Sequence, residues 1–535
     1  LGGFVLNYFR SMNKRILFLA IGFLISVSSF AQYNPRKDYP STNAEELKHF
    51  LTIIASDSME GRETGTMGQR KAAVYIASQF QSMDLTPAPG TENFMQYFPV
   101  GYDTLLQSTL TIDKKKFREG KDYVNELPQN SDQKLRSDGY VFAGYGISDE
   151  KYDDYKNVDA KGKIVVIFSG EPKDGDNYLI TGTDSHSNWV YPDGINKKAA
   201  TAMQKGALAV IMISPSLETI SPNTARLYRK SALRMMEDHP KSVNCMKISH
   251  ALAAELLGKQ LFDTLLNHAH WYEPLNRYNL ARRAKISYNF RSLQIVNHSS
   301  NVVGFIEGTD KKNEYLILTG HYDHMGKHEG KIWNGADDDG SGTCAVLAMA
   351  AAFSRAKAEG KGPRRTIVFM TVSGEEEGLW GSEYYSNHPL FPLNKTTADL
   401  NTDMVGRIDP KRTYGDSMNY LYVIGDDKLS TELAPITDLI NQKFSNLELD
   451  RKFNDLKDPN KFYYRSDHYN FARKGVPVIF FFNGTHKDYH QPTDTVDKIN
   501  WDLYSKRVEF IFQVAWEMAN RDGMIKRDIP LPELE

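Results

Sequence analysis

Cysteine is nearly absent from this chain. Only Cys245 and Cys344 occur in 535 residues, in segments assigned below to different domains. That speaks against a disulfide between them. Excess charge is also missing: 65 basic and 67 acidic residues leave a formal net charge of −2. Nothing in that balance points to a nucleic acid or an anionic membrane as partner. Internal repeats and low-complexity tracts are lacking. The one long apolar run, Ile16–Val27, is too short to span a bilayer and stay there. It follows Asn13-Lys14-Arg15 and precedes Ser29-Phe30-Ala31, a small-x-small site. Residues 1–31 therefore read as upstream residues, with translation starting at Met12, followed by a secretory signal peptide. The expectation is export to the periplasm or beyond, with no membrane anchor after cleavage.

What remains is globular. The chain is 41% hydrophobic and 12% aromatic, and its length calls for two or three domains. Helical patterns occupy Ser41 to about Leu85, interrupted by the Gly-punctuated loop MEGRETGTMGQR. From about Gly139 short β-rich runs appear (YVFAGYGI, GKIVVIFSG, ALAVIMIS), with a helical stretch, INKKAATAMQKG, before the third. From Asn301 strands and helices alternate: VVGFIEG, EYLILTG, a helix over 341–356, TIVFMTVSG, YLYVIGD, a helix over 430–444, VPVIFFFNG and a last helix over 501–520. That alternation predicts an α/β fold with a doubly wound, mostly parallel sheet flanked by helices. The domain boundaries expected are 41–130 and 291–525 for this fold, with 131–290 as a β-rich insertion.

Ligands in such sheets gather outside the carboxyl ends of the strands, and that is where the chemistry-bearing residues fall. GHYDH (Gly320–His324) and SGEEEG (Ser373–Gly378) each follow an apolar strand-like run. LNTDM ends a weaker candidate strand, and DYHQPTDT follows VPVIFFFNG. NGADDDGSG adds three acids in a Gly-rich turn. Paired glutamates alone usually mark a solvated face. Histidines and carboxylates converging from separate strand ends are instead a supply of zinc ligands with a base beside them.

These motifs, with YYRSDHYNFARKGVPVIFFF, resemble the zinc exopeptidases of metallopeptidase clan H, the family of bacterial leucyl aminopeptidase, aminopeptidase Y and glutamate carboxypeptidase II. The segment 131–290 resembles the protease-associated domain often inserted in them. The resemblance implies two zinc ions. His321 and Asp403 would hold one, Glu376 and His490 the other, and Asp338 would bridge both. It implies Glu375 as general base and Asp323 as the acid that holds His321 through its second ring nitrogen. It also implies a cis peptide between Asp338 and Asp339. Arg465 and Tyr464 are substrate-binding candidates. The PTD after His490 favours it over His486 as the ligand. His324 and His328 are expected in solvated or rim positions, and Asp337 and Asp339 as turn formers. The function implied is a secreted aminopeptidase acting on peptides. A carboxypeptidase or dipeptidase on the same fold is the nearest alternative. A one-zinc glutaminyl cyclase and an inactive, receptor-like binding protein are more distant ones.

Overall fold

The computed structural model describes residues 40–191, 194–236 and 242–531. The proposed signal peptide lies outside them. The chain divides into two compact units, one made of the segments up to Phe98 and from Ser299 onward, the other Pro99–His298.

In the first unit the strands are β1 (residues 301–306, the end of a longer strand Leu280–Ile306), β2 (Lys311–His321), β3 (Arg365–Val372), β4 (Thr396–Thr402), β5 (Tyr420–Ile424), β6 (Glu448–Asp450) and β7 (Val478–Phe482). Their order is β6-β5-β7-β4-β2-β3-β1. Parallel pairing joins β3 to β2, β2 to β4 and β4 to β7, in register at Leu318–Phe369, Leu318–Leu400 and Thr402–Phe481. Along this order β1–β3 and β5–β7 pair antiparallel. The unit thus has the mostly parallel sheet expected of it.

The helices of eight residues or more are α1 (Ala44–Ile54), α2 (Met67–Ser82), α3 (Gly340–Ala358), α4 (Trp380–Asn387), α5 (Leu433–Phe444) and α6 (Trp501–Asn520). Every residue of β3, β4 and β7 is buried. The reason is the two-residue period of a strand with both faces covered. Leu316, Leu318, Ile367 and Phe369 enter one core with α1, α3 and α6, while Ile317, Val368, Met370 and Phe480 enter the other. Helix α3 is Ala-rich and buried continuously from Gly340 to Phe353, as a helix apolar all round must be. Gly342 lets it start against the sheet, since a Cβ there would stand 2.0 Å from the Thr402 carbonyl oxygen.

The second unit covers Pro99–His298, and the long strand Met95–Ile112 runs into it. Its strand order is 280–290, Gln133–Phe142, Ile164–Phe168, Ala209–Ile213, Cys245–Ile248 and Tyr123–Asn125. The middle three pairings are parallel. The helices Gly194–Gln204, Pro222–Leu227, His250–Leu257 and Lys259–His270 accompany them. Asp154 is buried and accepts the backbone N–H of Tyr145 (2.8 Å) and Ile147 (3.1 Å), fixing the turn of FAGYGI. Both cysteines are free and buried.

Candidate metal centre

Four adjacent strands of the first unit end at one edge. His321 is the last residue of β2 and Asp403 follows β4. Glu375 and Glu376 come three and four residues after β3, and His490 stands in the loop after β7. Residues more than a hundred positions apart meet there because the sheet order makes their strands neighbours.

Asp338 sits at the centre. One carboxylate oxygen, Oδ1, is 3.4 Å from His321 Nε2, and the other, Oδ2, is 3.1 Å from His490 Nε2. His321 Nε2 also lies 3.7 Å from Asp403 and 3.8 Å from Glu375. His490 Nε2 lies 2.9 Å from Glu376 Oε2. Donor atoms of His321, Glu375 and Asp403 fall within 4.8 Å of one another, and so do those of His324, Asp338 and Glu376. The buried atoms His321 Nε2, His490 Nε2 and Asp338 Oδ2 have no hydrogen-bond partner of acceptable geometry, close as they are. Nitrogen and oxygen donors converging without hydrogen bonds fit divalent metal ions between them.

The electrostatics agree. Burial alone would push Asp338 up, but its contacts with His321 and His490 outweigh that and hold it well below the usual carboxylate range. Burial and the Asp338 charge push Glu376 up, yet His324 and His490 keep it low. Burial lowers His490, and the two acids more than reverse this, raising it to about 10. Glu375 is different. Burial pushes it well above its ordinary range; the nearby His321 opposes this, while the charges of Asp403, Glu376 and Asp467 add to it.

The bridging position is held by main-chain contacts. Asp494 Oδ2 accepts the N–H of Asp337 (3.0 Å) and of Asp338 (3.1 Å), and the Asp338–Asp339 peptide is cis. Asp339 is more than a turn former. It caps α3 through Gly342 N–H (2.8 Å) and takes the N–H of Met404 (2.9 Å) and His321 (3.2 Å), so it ties β2, β4 and the acidic turn together. Asp337 accepts from Gly406 N–H and faces His486 at 3.1 Å, which engages His486 away from the metal-facing atoms.

Asp323 and His324 also differ from expectation. The Asp323 carboxylate is 3.6 Å from His321 Nδ1, beyond hydrogen-bond range, whereas its backbone oxygen is 3.2 Å away. Its carboxylate instead accepts Thr64 Oγ1 at 2.9 Å and the Glu375 N–H at 3.3 Å. His324 is not solvated. It is 1% exposed, with Nδ1 2.8 Å from Glu376 Oε1. His328 is exposed as expected.

A cavity beside these groups is lined by Met404, Phe462, Phe480, Phe482, Arg465 and Tyr489. Exposed Arg465 lies over the Phe462 ring and donates to Tyr489 Oη at 3.3 Å. Tyr464 packs instead edge-on against Tyr463 and Tyr469, so Tyr489 supplies the tyrosine of this wall.

Sequence reasoning passed over the loop MEGRETGTMGQR, which braces the site. Fully buried Arg62 donates to the carbonyls of Tyr322 (2.7 Å), Ile54 (3.0 Å), Gly335 (2.9 Å) and Asn334, so one cation clamps GHYDH to the acidic turn. Ser466 was also missed. Its hydroxyl donates to Asp403 Oδ2 at 2.7 Å and receives Asn401 Nδ2 at 2.8 Å. For Arg62 the available signal was a charged residue in an otherwise turn-like, Gly-rich segment.

Residues 301–515 match the model of Peptidase family M28. A probable leucine aminopeptidase of Arthroderma otae is 26% identical over 300 residues, 51% of this chain and 78% of that protein. A probable zinc metalloprotease of Pyrenophora tritici-repentis is 26% identical over 235 residues, 40% of this chain and 47% of that protein. Among solved structures, an aminopeptidase from Aneurinibacillus sp. strain AM-1 aligns over 92% of this chain and 98% of its own at 19% identity, with a TM-score of 0.48.

Proposed function

Residues 301–515 belong to peptidase family M28, and on that premise we propose that the chain is a dinuclear zinc aminopeptidase that removes N-terminal residues from peptides. The observation that carries the reading is the Asp338 carboxylate, with one oxygen toward His321 and the other toward His490. A carboxylate placed in this way would be shared by the two ions of a two-metal hydrolase.

His321 and Asp403 would hold one zinc, Glu376 and His490 the other, with Asp338 shared. When bound, zinc polarises a carbonyl and lowers the pKa of water to about 7. Glu375 takes the proton of the attacking water and returns it to the leaving amine. It is suited to this because the backbone N–H of Gly378 (2.9 Å) and Leu379 (3.0 Å) anchors its own carbonyl, leaving the side chain free at the cavity. Thr64 and the Glu375 N–H hold Asp323 beneath the same group. The aromatic wall takes the substrate's side chain, and Arg465 at its exposed rim meets the peptide beyond.

Among the described residues no helix is long and apolar enough to cross a membrane. The N-terminal apolar run supports export of the enzyme, which N-terminal sequencing of the mature chain would test. The activity is tested with aminoacyl and N-blocked fluorogenic substrates alongside elemental analysis. Two zincs per chain and cleavage of free-amine substrates alone are expected. Cleavage that instead needs a free carboxylate would identify a carboxypeptidase or dipeptidase. Full activity with one zinc would contradict the dinuclear mechanism.

A further inference from the structure

We propose that His324 is a positioning residue for the second metal site: its Nδ1–H fixes Glu376 by one oxygen, so that the other is presented to His490 and the zinc held there. The proposal rests on the dinuclear reading above.

Four observations carry it. First, Glu376 is shared between two histidines through different oxygens. His324 Nδ1 stands 2.8 Å from Oε1, and His490 Nε2 stands 2.9 Å from Oε2. The carboxylate plane is therefore defined from both sides. Second, the His324 ring has little freedom. It is 1% exposed, and a Cβ on Gly335 would meet its ring carbons at 2.5 Å. Gly335 belongs to the turn that carries Asp338, so the ring is wedged between the loop bearing Glu376 and the loop bearing the bridge. Its backbone N–H is directed to the Arg62 carbonyl at 3.4 Å. Third, Nε2 is buried without a hydrogen-bond partner. An orphaned N–H would cost more there than an orphaned lone pair, so the proton belongs on Nδ1, where its acceptor is. Fourth, Nδ1 is 3.8 Å from Asp338 Oδ2, so it is engaged by Glu376 and not by the bridge.

Glu376 needs such a hold. It sits in a tight turn, two residues after Gly374 at φ +82°, on a side chain with three rotatable bonds. A charge-assisted hydrogen bond to its spare oxygen orders it before metal arrives. Contacts of this type behind a ligand are typically worth about 10–100-fold in metal affinity.

The test uses the full chain and the variants His324→Asn and His324→Gln. An asparagine amide places an N–H near the position of Nδ1, and a glutamine amide places one near Nε2. Zinc dissociation constants are measured by chelator competition, with thermal unfolding of the metal-free chains as control. His324→Gln is expected to weaken one of the two sites about 10–100-fold and spare the other. His324→Asn should retain affinity within a few-fold, and the two metal-free variants should unfold at similar temperatures. In ¹⁵N-histidine spectra of the zinc-loaded chain, His324 Nδ1 should carry a proton. A metal-bound His324 nitrogen, equal losses in both variants, or no loss in either would overturn the proposal. A wild-type chain that holds fewer than two zincs would defeat the dinuclear reading, and this proposal with it, before any variant is compared.

Discussion

Glu375 and Glu376 are neighbours in sequence and both face the metal-binding edge, yet they should fail in opposite ways when changed to glutamine. Glu375→Gln keeps the shape of the side chain. The main-chain bonds that set its position survive: its N–H to Asp323 Oδ1 at 3.3 Å, and its carbonyl to Gly378 and Leu379. What it loses is the ability to accept a proton. A general base contributes about 10²–10⁴-fold, which at about 1.4 kcal/mol per tenfold is roughly 3–5 kcal/mol of barrier. The kcat should fall by that factor at saturating substrate, with two zincs still bound. The metal-free protein should become more stable, because burial disfavours this carboxylate and Asp403, Glu376 and Asp467 repel its charge. Glu376→Gln should instead weaken zinc binding, with activity partly recovered in excess zinc. The assays are kcat with an aminoacyl substrate, elemental analysis and thermal unfolding of the metal-free chains. The contrast matters because Glu375 also lies within reach of His321 and Asp403. If Glu375→Gln loses zinc and regains activity in excess metal, Glu375 is a ligand and the assigned base is wrong. Full activity in that variant would refute the mechanism outright.

Asp338→Ala should lose both zincs together in elemental analysis, since each half-site keeps only one histidine and one acid. Arg465→Met should raise KM for peptides more than for single aminoacyl amides, leaving kcat and zinc content near wild type, because Arg465 is exposed at the rim. His468 is fully buried, its ring 4.7 Å from that of Phe480, and burial lowers its pKa to about 3 against a smaller opposing effect of the Tyr463 backbone. The unfolded chain takes up that proton near pH 6.5 while the folded chain resists, so the stability involved is complete above pH 6.5 and is lost progressively as pH falls toward about 3. The gap sets a ceiling of about 5 kcal/mol. His468→Phe should flatten this acid sensitivity in urea titrations at pH 4 and pH 7, and an unchanged pH dependence would contradict it.

Local sequence was enough for the elements and for the inventory of the site. Continuous apolar runs such as TIVFM and VIFFF could only be strands buried on both faces, and the Ala-rich run after the acidic turn only a helix packed all round. Because ligands in such sheets follow strand ends, His321, Glu375, Glu376, Asp403 and His490 could be picked out one by one. Motif likeness suggested their partners. Tertiary structure decided the contacts between them. Arg62 reaches four carbonyls 8 to 273 positions away, and no period or spacing encodes a guanidinium that clamps carbonyls in place of pairing with an acid. Ser466 meets Asp403 and Asp494 meets the Asp338 N–H only because β4, β7 and the acidic turn adjoin. His324 reads in sequence as a polar residue in a loop, where solvent is the ordinary expectation. It is buried because Gly335 has no side chain to hold the ring away. A strand's period specifies which way a residue points, while the order of strands, set by how two cores close over one sheet, specifies what it meets.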